Sequence, residues 1–216
     1  MAERRAFWLV AFFIGLIVFI GHCRRSAEAH TGDHIPPAAE RYRRDLTREV
    51  RFYFSMSEPV ARFAGQVHQE SAWRAGVCSA FACGLTQFTP GTAKDITAMH
   101  PADLGSAPRV FDPAWALRAM VLYMRGLRLA YADFDADAHA AALAAYNGGS
   151  GWLTRERAVC RRYRLMEDFD RVCDPQRWFG GVERYCLRAR WACDENRAYV
   201  RAILFRWAPR YAAAGW

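Results

Sequence analysis

From about residue 40 onward apolar residues recur at intervals of three and four, the spacing of helices that bury one face, while alternation at every second residue is scarce. Val60, Phe63, Ala64 and Val67 form one such stripe, with Ser57 as a candidate cap and Pro59 in the first turn. Glu70 and Ser71 continue it, which places a carboxylate on a buried face near a helix end, where an unpaired charge is costly. Thr89-Pro90 opens a second helix running towards Met99, and Asp112-Pro113 a longer one through Trp115, Met120, Met124 and Leu127. An alanine-rich helix from Asp135 to Tyr146 meets its stop at Asn147-Gly148-Gly149, leaving Tyr146 and Asn147 at a helix terminus facing a loop. A last helix runs from about Asp194 to Trp207, with Tyr199, Ile203 and Trp207 one turn apart, and ends before Pro209. The pattern predicts a mainly α protein with almost no sheet, its methionine and aromatic stripes serving as core.

The N-terminus follows another logic. Arg4 and Arg5 precede an apolar run from Ala6 to Ile20, shorter than the roughly 20 residues that span a bilayer, and Ala27-Glu28-Ala29 supplies a small-residue cleavage pattern. Residues 1–29 therefore read as a signal peptide, with an uncleaved membrane anchor as the alternative, since Arg24 and Arg25 balance Arg4 and Arg5 and leave orientation open. Residues 30–54 form a lead-in and first helix, and 55–216 the main domain. Cleavage leaves the protein periplasmic or secreted; retention tethers it to the inner membrane, facing the periplasm.

Cysteine usage agrees with export. Removing Cys23 with that segment leaves Cys78, Cys83, Cys160, Cys173, Cys186 and Cys193, an even set suited to a disulfide framework. Proximity pairs Cys78 with Cys83 across a short loop and leaves the other four to staple the C-terminal third. Zinc is disfavoured, because the later spacings of 13, 13 and 7 contain no CxxC pair. The formal charge of +8 becomes +6 when residues 1–29 remove four Arg and two Glu. The cations are mostly arginines scattered along helices without a clustered basic run, so nucleic acid is not an expected partner and the carboxylate-rich cell wall is.

Four short motifs occur in order: Glu70-Ser71, Gly84-Leu85-Thr86-Gln87, Ala145-Tyr146-Asn147, and Glu195 followed by Tyr199-Val200, with Gln87-Phe88-Thr89-Pro90-Gly91-Thr92-Ala93 extending the second. This succession resembles the soluble lytic transglycosylase (SLT) domain of the lysozyme superfamily over roughly residues 55 to 205. Thr86 stands where that family usually has Met, and Cys78 and Cys83 bracket the loop between the first two motifs. The resemblance implies a lysozyme-like helical domain that cleaves the β-1,4 bond between N-acetylmuramic acid and N-acetylglucosamine in peptidoglycan, forming a 1,6-anhydro product without water, metal or cofactor. It implies Glu70 as the single acid/base, Tyr146 orienting it by a hydrogen bond, and Ser71, Thr86, Gln87, Asn147 and Tyr199 as substrate-binding residues. The residues themselves fit, because glycosidic cleavage needs a carboxylic acid still protonated near neutral pH, and an apolar helix face would keep Glu70 so. His68, His100 and His139 lie outside the motifs and read as solvent-facing or locally bonded.

Two alternatives stay open: a muramidase using the same acid with water, and a non-catalytic wall-binding component of a secretion or phage assembly. The partners expected are peptidoglycan glycan strands, with a secretion, conjugation or phage apparatus as the possible setting, and the protein is expected to act as a monomer.

Overall fold

Seven successive residues of the alanine-rich helix, His139–Ala145, are buried. That follows from their size, since methyl side chains let other helices approach on every side. The computed structural model describes residues 34–164 and 173–216, and the expected signal peptide or anchor, Cys23 and the start of the lead-in lie outside the described residues. Within the unit Pro36–Trp216 the chain forms α1 (Ala38–Tyr53), α2 (Val60–Ser71), α3 (Pro90–Met99), the single turn α4 (Pro101–Leu104), α5 (Pro113–Ala130), α6 (Ala138–Gly148), α7 (Ser150–Arg164), α8 (Arg190–Arg201) and α9 (Ala208–Ala213). The alanine-rich α6 packs against α5, α7 and α8, while α2 packs against α9 and the wider helical turn Ala202–Trp207 that joins α8 to α9. Among the described residues the only β pairing is two isolated bridges, Cys78 with Cys83 and Cys83 with Phe88.

Most helix boundaries follow the local signals. Thr89 accepts from the Thr92 amide ahead of Pro90, and Asp112 accepts from the Ala114 and Trp115 amides ahead of Pro113. Four boundaries differ from expectation. The alanine-rich α6 starts at Ala138, because Asp135 adopts positive φ, and α8 starts at Arg190, ahead of Asp194. Ser57 does not cap α2, which begins after Pro59, and its hydroxyl pairs with that of Ser55. The last helix does not stop before Pro209: the chain widens at Ala202–Trp207 and continues into α9 with Pro209 in the first turn, where a missing N–H costs nothing.

Helices are joined at depth by charge. Arg118 of α5 grips the buried Glu49 of α1 through Nε and Nη2 at 3.0 and 3.1 Å. The disulfides are Cys78–Cys83, Cys160–Cys173 and Cys186–Cys193, so the first closes a short loop and the other two staple the C-terminal third. The carboxylate of Glu156 lies beside Cys186 and Cys193, a grouping that resembles a metal site. With both sulfurs joined to each other, neither offers the thiolate a metal needs.

Candidate active site

Glu70 ends the buried stripe of α2 one residue before the helix stops. The stop is abrupt because Ala72 and Trp73 both adopt positive φ, 49° and 64°. Two left-handed non-glycine residues in succession need tertiary support, and Trp73 receives it: its indole N–H donates to the Tyr211 hydroxyl, while Tyr42 of α1 stacks against its ring. His68 completes this frame, bonded through Nδ1 to Tyr211 at 2.9 Å and stacked on Trp207 at 3.6 Å. Trp207 donates to Gln69 at 3.0 Å. The end of α2 is thus clamped by residues from the C-terminus of the chain.

That clamp is close because residue 65 has no side chain. A Cβ at Gly65 would stand 3.1 Å from both Trp207 Cβ and the Ala208 nitrogen. The approach brings Tyr199 of α8 to Glu70, and the tyrosine hydroxyl donates to Glu70 Oε1 at 2.5 Å. Glu70 keeps part of its surface open to solvent, yet the atoms crowding it push its pKa up to about 8, against the pull of the Tyr199 hydrogen bond and with a further push from the charge of Glu195. A carboxyl in that range holds its proton at neutral pH and can exchange it. Gln66, one turn earlier on α2, is fully buried and makes no hydrogen bond of good geometry among the described residues, although it stands close enough to the Tyr199 oxygen to lower that hydroxyl's pKa.

Tyr146, expected to orient Glu70, does something else. Its hydroxyl donates to the Thr86 carbonyl at 2.8 Å, and its ring packs with Phe88 and Tyr123. Burial raises the Tyr146 pKa well above its usual value, and the charge of Glu70 adds to this, so the ring lies near the acid without bonding to it. The orienting bond belongs to Tyr199. Both tyrosines sit in motifs, and order along the chain does not say which one reaches α2.

The Gly84–Gln87 loop is a tight scaffold. Gly84 has φ +85° and a Cβ there would run into the Val110 carbonyl, so two independent constraints demand glycine. Gln87 also has positive φ, and its amide nitrogen donates to the carbonyls of Gly84 at 2.8 Å and Val77 at 3.1 Å. This second bond ties the loop to the Cys78–Cys83 turn. Thr86 and Ser71 are enclosed, and the Ser71 hydroxyl donates back to the Val67 carbonyl. Neither presents its side chain to an open cleft.

Asn147, exposed at the end of α6, accepts from Asn196 at 2.7 Å, and Asn196 also donates to the Ala144 carbonyl at 3.0 Å. Asn196 precedes Tyr199 by three residues, one helical turn, so a single face of α8 holds both α6 and Glu70. Its role was not anticipated, though the i, i+3 spacing from Tyr199 carried the signal. Crowding raises the pKa of Glu195 against the pull of Arg188 and of Asn147, which stands close by. The histidines depart from expectation in one respect: His68 and His139 are both buried. Burial holds the His139 pKa well below normal, and Arg62 and Arg128 add to that.

A carboxyl of raised pKa with an aromatic hydroxyl fixed on it, beside a carboxamide edge, can give up a proton near neutral pH and take one back. Residues 61–163 match the transglycosylase SLT domain family. This part of the chain is an SLT domain. No curated protein matches the chain. At the level of the family the match supports peptidoglycan as substrate and glycan cleavage of the lytic transglycosylase type, and members of that family act on peptidoglycan in the periplasm or outside the cell. Glu70, Gln87, Tyr146 and Asn147 lie inside the SLT match, whereas Glu195, Asn196 and Tyr199 lie beyond it in the C-terminal segment that completes the surroundings of the acid. Among the described residues no helix is long and apolar enough to cross a membrane.

Proposed function

We propose that the protein cleaves the bond between N-acetylmuramic acid and N-acetylglucosamine without water, leaving a 1,6-anhydro-N-acetylmuramyl end, with Glu70 as sole acid and base. The observation that carries this reading is a carboxyl held near pH 8 by its surroundings with a tyrosine hydroxyl fixed on it. Glu70 gives its proton to the glycosidic oxygen as the bond to the muramyl C1 breaks, and the substrate's N-acetyl oxygen bonds to C1 from the other side. The resulting Glu70 carboxylate takes the proton of the muramyl 6-hydroxyl, whose oxygen displaces the acetyl oxygen and closes the ring. The Tyr199 hydrogen bond stabilises the carboxylate of the second half, which keeps the pKa from rising beyond use. Gln87 and Asn147 line the cleft in this reading, while Ser71, Thr86 and Tyr146 brace its walls.

A muramidase is the second reading, and Glu195 favours it: its charge reaches Glu70, and a second carboxylate is what most hydrolytic glycosidases employ. The product separates the two. Digestion of purified sacculi is expected to release muropeptides ending in 1,6-anhydro-N-acetylmuramic acid; mass analysis finding mainly reducing ends would establish hydrolysis. Glu70→Gln should remove turnover by about 10²–10⁴-fold, the usual contribution of a general acid/base, while leaving wall binding intact.

A further inference from the structure

Arg188 lies outside the four motifs and outside the SLT match, in the turn between Cys186 and Cys193. Its side chain is only 11% exposed and faces Glu156, whose side chain is 3% exposed. Nε donates to Oε1 at 3.1 Å and Nη2 to Oε2 at 3.2 Å, a two-bonded fork that fixes the plane of the guanidinium. Glu156 Oε1 also accepts from the Leu187 amide at 3.2 Å, so the backbone of the turn and its arginine share one buried anchor. The Cys186–Cys193 disulfide closes the same turn onto the first helical turns of α8.

The remaining nitrogen, Nη1, lies against Gly148. A Cβ at residue 148 would overlap Nη1 and come within 2.9 Å of Asn196 Nδ2. An arginine end usually swings aside, but this one is gripped by Glu156 and enclosed. Gly148 is therefore required by the approach of Arg188 and Asn196, and it adjoins Asn147 at the end of α6. From the same position the guanidinium acts on Glu195 and favours its ionised form.

We propose that Arg188 is a positioning residue for the substrate cleft: seated against Gly148 by Glu156 and the disulfide-closed turn, it fixes the edge formed by Asn147 and Glu195 that grips the glycan. The inference rests on the reading of that edge as part of the cleft. It assigns Arg188 no contact with the reacting atoms, which stay with Glu70 and Tyr199, so its removal should weaken substrate holding and spare the chemical step.

The experiment is a kinetic double-mutant cycle on soluble, uncross-linked glycan strands, with melting curves for each variant. Arg188→Met is expected to raise KM about tenfold with kcat within about threefold, and Gly148→Ala to raise KM in the same direction by displacing the guanidinium. With Arg188→Met in place the tighter overlap is gone and the alanine meets only Asn196, so the loss in the double variant should fall well short of the sum of the two single losses. Arg188→Lys, which keeps the charge but not the fork, should fall between parent and Arg188→Met. A merely structural arginine would lower the melting temperature and the active fraction without moving KM. Folded Arg188→Met with KM within about twofold of the parent, or losses that add in the double variant, would overturn the proposal. If Arg188→Met does not fold, Gly148→Ala decides, since a parental KM there contradicts the seat. Glu70→Gln, run in parallel, tests the assignment of the acid separately: turnover within about tenfold of the parent in that variant defeats the acid and leaves the KM cycle to judge Arg188.

Discussion

Glu70 carries a cost that its neighbours impose. Its folded pKa of about 8 lies above the ordinary 4.5, so between those values the folded protein keeps a proton that the unfolded chain has released. Stability is thus lost as pH rises through that window and levels off above it. Glu70→Gln removes the loss, and the variant should melt higher than the parent by a margin near zero at pH 4.5 that grows up to pH 8. The margin should be about 2–4 kcal/mol, less than the full shift implies because part of the carboxyl is open to solvent. Thermal melting across pH checks this, and a margin that shrinks with rising pH would contradict it. Tyr199→Phe acts on the same group with opposite consequences for the chemistry. The Tyr199 hydrogen bond lowers the pKa of Glu70, so its loss should move the alkaline limb of kcat/KM above pH 8 and reduce turnover by about tenfold as the carboxyl loses its fixed orientation. A limb displaced to lower pH would show that the hydroxyl does not act on Glu70.

At the scale of elements, the approach of α2 to the C-terminal helices depends on Gly65. Gly65→Val would force Trp207 and Ala208 away, and with them the path that brings Tyr199 to Glu70. Melting should fall by several degrees, consistent with an overpacking cost of about 1–3 kcal/mol, and the alkaline limb should shift in the same direction as in Tyr199→Phe. A lower melting temperature with an unchanged limb would separate the packing from the site. The elements themselves were largely legible in the sequence: Thr89-Pro90 and Asp112-Pro113 start helices where their capping chemistry says, and Gly149 ends α6. Glu70 was legible as well, because a carboxylate on an apolar stripe is an anomaly visible in periodicity. The partner of Glu70 was not. Tyr146 and Tyr199 are equivalent as motif members, and only the close approach at Gly65 gives the bond to Tyr199. The continuation past Pro209 was hidden for a related reason, since a widened turn relocates the proline to a first turn without leaving a local signature. His139 illustrates the limit at a buried position. Its pKa is held well below normal, so the folded state resists a proton that the unfolded chain accepts, and stability should be present above about pH 6.5 and decline below it. His139→Leu should flatten that decline in melting curves between about pH 6.5 and 5. An unchanged slope would place the acid sensitivity elsewhere.

For the molecule as a whole, the disulfides set up the test of export. The three disulfides use all six cysteines from Cys78 onward, and such bonds persist in oxidising compartments. Peptidoglycan lies in the same compartments, so the redox chemistry and the SLT assignment agree without reference to the N-terminal run. Cys23 then distinguishes the two fates of residues 1–29. Cleavage after Ala29 gives a protein that starts at His30 and has no free thiol, whereas a retained anchor keeps one thiol at Cys23. The expected outcome is cleavage. N-terminal sequencing should read His30, and a thiol reagent should add nothing to the denatured, unreduced protein. A single modified cysteine in membrane-bound protein would show a tether, and the enzyme would then be restricted to wall within reach of the inner membrane. Reduction provides the matching stability test. Closing loops of 5, 13 and 7 residues restricts the unfolded chain, and a loop of about 15 residues is worth about 3 kcal/mol by chain entropy. Reduction should therefore lower the melting temperature by well over 5 °C. The larger loss should follow Cys160→Ser with Cys173→Ser, whose loop is the longest of the three. The smaller loss should follow Cys78→Ser with Cys83→Ser, because Gln87 still ties that turn to the scaffold through the carbonyls of Val77 and Gly84. Equal losses for the two pairs would mean that loop length does not govern their contributions.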